Sequence, residues 1–101
     1  MMPLFMMLSR LTERGRDRVA AYPERIIEVN EEVEDAGCRV LDQFALMGEY
    51  DFATILETPD LGAMYRVAMD LGSRGTMVTC TLPAVTTAEF TGFMQAGLDD
   101  D

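Results

Sequence analysis

Lysine, histidine and tryptophan are absent from these 101 residues, and cysteine occurs only twice. Without histidine there is no imidazole to take up protons near neutral pH, to hold haem iron, or to build a histidine-rich metal site. The same absence leaves Cys38 and Cys80 without an activating base, so both read as core thiols rather than nucleophiles. A secreted disulfide scaffold would carry more cysteines, and these two lack metal-ligand spacing, which points to a reducing compartment. Long hydrophobic runs are also missing. The stretch from Met1 to Leu8 is too short to span a bilayer and lacks the basic start and cleavage site of a signal peptide. A cytoplasmic protein with no metal and no cofactor is therefore expected. Positive charge is scarce: 8 basic residues, every one an arginine, face 18 acidic residues for a net charge of −10. Nucleic acid and anionic membrane surfaces would repel such a chain, and neither is expected as a partner. An acidic surface without lysine fits a saline cytoplasm or a GC-rich genome, because salt shortens the reach of carboxylate repulsion.

What is present is patterned apolar sequence, 49% of the chain. One domain over residues 1–98 is expected, followed by an acidic tail at 99–101. Pro3 to Leu11 is a nearly unbroken apolar run, the mark of a strand covered on both faces. Thr12 to Ala21 is a polar connector with room for one short helical turn. Pro23 opens a helix whose apolar stripe (Ile26, Val29, Val33) ends at Gly37. Its Glu24, Glu28 and Glu32 stand four apart and repel one another, so the stripe must hold it. Cys38–Met47 reads as a strand with Val40, Phe44 and Leu46 on one side, and Asp51–Thr58 as the next. Asp60 caps a second helix that closes at Gly72. Thr76–Leu82 is a last strand stopped by Pro83. Thr86 and Glu89 make the capping box of a final helix, with Val85 and Phe90 placed as its hydrophobic staple.

The order strand, helix, strand, strand, helix, strand, helix predicts an α+β, ferredoxin-like split βαβ fold: a four-stranded antiparallel sheet plus a C-terminal helix. Strands one and three are expected at the centre, running parallel, with strand two at an edge. Helices would cover one face only. The doubled apolar pattern of strand one, with Phe44, Leu46, Ile55 and Leu56, calls for a second copy of the chain against the other face, which makes a dimeric α+β barrel.

The central hairpin carries Gly48-Glu49-Tyr50-Asp51 running into Phe52-Ala53-Thr54-Ile55. Together with Thr12 and Gly15, Pro23-Glu24-Arg25, Gly37, Leu71-Gly72-Ser73 and Thr79-Cys80-Thr81-Leu82, it resembles the GYD domain family, named for a Gly-x-Tyr-Asp signature. The resemblance extends over nearly the whole chain and implies the dimeric α+β barrel superfamily. It implies no activity, and Val78 and Pro83 stand where relatives often carry basic residues.

Seven residues are candidates for ligand binding. Gly48, Glu49, Tyr50 and Asp51 would present a phenol and carboxylates at a barrel mouth, although a hairpin tied by its own Asp is the plainer account. Thr12 and Gly15, with Arg14, Arg16 and Arg18 beside them, would suit an anion, or simply form a solvated loop. Thr79, with Thr81 on the same side of the strand, would line a pocket between subunits, or sit in a strand as threonine commonly does. Two functions are consistent with these residues: a homodimeric module binding a small metabolite or a protein, and a cofactor-independent isomerase, oxygenase or decarboxylase using Tyr50 and Asp51.

Overall fold

The structure is a computed structural model that describes residues 2–99. Met1 and, in the acidic tail, Asp100 and Asp101 lie outside the described residues. Eight elements follow in order: β1 (Leu4–Leu11), α1 (Glu13–Ala21), α2 (Arg25–Asp35), β2 (Arg39–Ala45), β3 (Phe52–Glu57), α3 (Leu61–Ser73), β4 (Met77–Ala84) and α4 (Thr87–Asp99). The sheet order is β2-β3-β1-β4 and every neighbouring pair is antiparallel. This is the ferredoxin-like α+β fold. The expected parallel pairing of strands one and three is overturned. In a split βαβ unit the parallel partners are β1 and β2, and β3 enters between them running against both.

The caps explain where the helices begin and end. Asp60 accepts from the Gly62 amide at 2.8 Å at the start of α3. Thr86 and Glu89 exchange bonds as a capping box before α4, with Thr86 Oγ1 accepting from Glu89 N at 3.1 Å and Thr86 N donating to Glu89 Oε1 at 3.2 Å. Gly37, at φ +104°, ends α2 with a paired closure: its own N–H donates to Glu34 O and the next amide, Cys38, donates to Val33 O. That geometry favours glycine. The polar connector is a nine-residue helix rather than a single turn, since Thr12 caps it by accepting from Gly15 N at 3.1 Å. Its sequence has no apolar stripe, so periodicity gave no sign of it. α3 continues through Gly72, and the turn comes at Gly75 with φ +75°. Pro83 does not stop β4; it pairs with Phe5, which an edge strand tolerates because one row of its amides has no ladder to complete.

Alternation sorts the sheet into two faces. Phe5, Met7, Ser9 and Leu11 of β1 are buried on the side of the helices. There Phe5, Met7 and Leu56 meet Val33 of α2 and Ala63, Met64, Val67 and Leu71 of α3 in one core. Leu4, Met6 and Leu8 point to the other face. Met6 lies between Ile55 and Leu82, and Leu8 between Ala53 and Cys80. On β2 the register slips between Val40 and Asp42, so Leu41 is an extra residue that flips the alternation. Val40 packs on the core while Phe44, opposite Ala53, faces outward and is 52% exposed. The expectation that Val40 and Phe44 share a side fails for this reason. Among the described residues no helix covers the outer face. α4 projects from the body, and each of its described side chains except that of Glu89 is exposed, which fits overall dimensions of 58 × 29 × 19 Å.

Candidate functional site

The signature hairpin is a latch at the C-terminal end of β1. Asp51 closes its own loop by accepting from Leu46 N at 2.7 Å and donates from its amide to Ser9 O at 2.8 Å. Its carboxylate Oδ2 accepts from Leu11 N at 2.7 Å, two residues past the last β1–β3 pair. Gly48 takes φ +134° with open space around it, so backbone conformation rather than crowding favours glycine there. Glu49 is exposed; Tyr50 is half-buried, and its hydroxyl makes no hydrogen bond among the described residues.

Thr12 and Gly15 gather at the same end. Thr12 donates from its amide to Thr76 O at 3.0 Å and from its hydroxyl to Gly75 O at 2.8 Å, which ties the start of α1 to the end of the loop that leads into β4. Gly15 lets α1 sit on that loop, because a Cβ there would lie 1.9 Å from Thr76 O. Thr79 is elsewhere. With Thr81 and Met77 it is on the helix side of β4, beside Tyr65, Met69 and Gly72 of α3 in an open groove of about 600 Å³. The two threonines therefore turn away from the sheet face a second copy would cover. Thr81 Oγ1 is buried there without a hydrogen-bond partner among the described residues.

A feature that the hairpin and threonine motifs do not announce is a partly open cavity of about 300 Å³ bordered by α1, α2 and the α3–β4 loop. Its floor is Leu11, Ile26, Val29 and Met77, and Arg18, Arg25 and Arg74 stand around it. Arg25 Nη1 reaches Glu28 at 3.1 Å and Glu32 at 3.3 Å; Arg74 joins Glu32 through one nitrogen and Asp70, at 2.6 Å, through the other. The acidic ladder of α2 is thus relieved by guanidinium groups, one of them from 42 residues away. Carboxylates spaced four apart were the available clue, since such a face needs cations from somewhere.

Arg74 holds the Glu32 carboxyl below its ordinary range by hydrogen bonding, with Arg25 adding to the effect and partial burial opposing it. A carboxyl depressed in the folded state contributes stability above its unfolded value and loses it as pH falls through the folded one. Glu32→Gln is expected to lower the melting temperature at neutral pH and to reduce the further drop between neutral pH and about pH 3. The effect stays below about 1 kcal/mol, because 42% of the side chain is exposed. Equal acid sensitivity in the two proteins by calorimetry would remove Glu32 from the account.

The family follows from comparison. A model of the GYD domain matches residues 5–94. The chain belongs to the GYD domain family. This GYD chain is 44% identical over 89 residues to a Thermus thermophilus protein named "Glutamine synthetase and cystathionine beta-lyase binding protein", covering 87% of this chain and 94% of that one. Among solved structures it is similar to the crystal structure of MtbAldR, with a TM-score of 0.63 and 14% identity over 83% of this chain. It spans about half of that longer chain, 52%, and the likeness is one of fold.

Proposed function

We propose that this GYD chain is a cytoplasmic protein-binding module, one domain over residues 1–98, that works as a homodimer. The observation that carries the reading is the uncovered sheet face. Met6, Leu8, Ile55, Cys80 and Leu82 form a contiguous apolar centre, with Phe44 beside them. Charge stands at the margin: Arg10 at the end of β1, Asp42 on β2, and the Arg39–Glu57 pair at 3.5 Å. An apolar middle within a polar rim is the anatomy of an interface, and a second copy presents the matching surface by two-fold symmetry. With the sheet taken by a twin, α4 remains for other proteins. Phe90, Phe93, Met94 and Leu98 recur there at helical spacing and are all more than half exposed. Clients of the kind named for the Thermus relative, metabolic enzymes, fit that role.

Light scattering is the test. The protein at about 10 µM is expected to run at twice its 11.3 kDa mass. Leu8→Glu, which places a charge at the centre of the face without touching the core, is expected to run as a monomer with unchanged helical content. A wild-type monomer at that concentration would overturn the dimer. Phe93→Glu is expected to abolish association with a purified glutamine synthetase while leaving the dimer intact; binding unaffected by that substitution would remove α4 as the client surface.

A further inference from the structure

We propose that the cavity between α1, α2 and the α3–β4 loop binds a small organic monocarboxylate with a short apolar body. It lies on the helix side of the sheet, opposite the face assigned to a second copy, so it stands independently of the dimer. Three of the chain's 8 arginines meet at this one cavity in a protein of net charge −10. They are not equivalent. Arg25 and Arg74 are held in place by the carboxylate they share, Glu32. Arg25 uses only Nη1 in its ion pairs, which leaves Nη2 and Nε without a partner among the described residues. Arg18, in the last turn of α1, makes no salt bridge among them. The site thus offers one guanidinium fork free and a second partly free, a donor set that suits the two oxygens of a carboxylate.

The surrounding charge limits the ligand further. Glu28, Glu32 and Asp70, all paired with Arg25 or Arg74, equal the three guanidinium groups in number, so the cavity has no excess positive charge with which to hold a dianion such as phosphate. None of those three carboxylates lines the cavity, so an ammonium group would meet no counter-charge at its wall, which disfavours a free amino acid. The floor of Leu11, Ile26, Val29 and Met77 and a volume of about 300 Å³ take a branched chain of a few carbons.

Methyl-resolved NMR of the full chain tests this, with 3-methylbutanoate as the probe and 3-methylbutanamide, leucine and inorganic phosphate as comparators. Saturable shifts at the Leu11, Val29 and Met77 methyls are expected with the carboxylate, at dissociation constants from high micromolar to millimolar. Arg18→Gln, at an exposed side chain with no ion pair to lose, is expected to weaken binding about tenfold, and the amide by at least as much. The proposal is overturned by any of three results: no saturation by about 10 mM carboxylate, equal binding of the amide or in the Arg18→Gln protein, or tighter binding of phosphate or leucine. Persistence of the shifts in the Leu8→Glu protein is expected, and their loss there would place the ligand at the subunit interface instead.

Discussion

Gly15→Ala is expected to destabilise the protein by about 3 kcal/mol, although the same change in an ordinary helix would stabilise it by roughly 1 kcal/mol. The reason is a single approach. Gly15 is buried in the first turn of α1, and a Cβ built on it would meet Thr76 O at 1.9 Å and Thr76 C at 2.9 Å. Both are backbone atoms, so no side chain can swing aside. Moving the loop away would pull Thr76 O from Thr12 N and Gly75 O from Thr12 Oγ1, the two bonds that fasten α1 to the loop before β4. Either the clash or the lost bonds must be borne. Gly72 supplies the control: it lies within α3 with nothing within 4 Å of an added Cβ, so Gly72→Ala is expected to gain between about 0.5 and 1 kcal/mol. Urea denaturation of the three proteins measures both signs. A Gly15→Ala variant within about 0.5 kcal/mol of wild type would show that the contact yields easily.

The extent to which the fold was legible follows from the range of the forces involved. Asp60, Gly37 and the Thr86–Glu89 box act on neighbours within a few residues, so their chemistry can be seen in the letters, and each cap is found where its residue type predicts. The two-faced apolar pattern of β1 likewise reflects its place at the sheet centre. What escaped the sequence depends on distant partners. Leu41 becomes a bulge only because β3 pairs with β2 on either side of it, and the flip it causes moves Phe44 to the outer face. α1 is held by Thr12 and Thr76 rather than by an apolar stripe, so no helical period announces it. The arginine cavity joins residues 18, 25 and 74, which become neighbours only after the chain has folded. Among the seven candidate residues, Asp51, Thr12 and Gly15 converge on the end of β1 and the facing loop before β4, whereas Thr79 lies in the groove beside α3.

Removing the signature carboxylate tests how that end of the sheet is held. Asp51→Ala is expected to cost between about 1.5 and 3 kcal/mol, the range for a hydrogen bond to a charged acceptor whose donor is left unmatched. Leu11 is 8% exposed, and its amide points toward β3 beyond the last paired residue, where no strand carbonyl meets it. The carboxylate at 2.7 Å takes the place of that missing carbonyl. Because the Asp51 main chain also bonds Ser9 and Leu46, loss of the side chain should loosen the hairpin without detaching it. Asn keeps an acceptor oxygen at the same reach but not the charge, so Asp51→Asn is expected to lose about half as much as Asp51→Ala. Hydrogen exchange locates the effect: the Leu11 amide should lose protection in the Ala variant while amides at the far end of β1, near Leu4, keep theirs. If the Ala and Asn variants were both as stable as the wild type, or if Leu11 stayed protected in both, the latch would reside in the Asp51 backbone alone. The Asp51 carboxylate and the Tyr50 phenol would then both be signature side chains without structural work, and the natural place to look for chemistry.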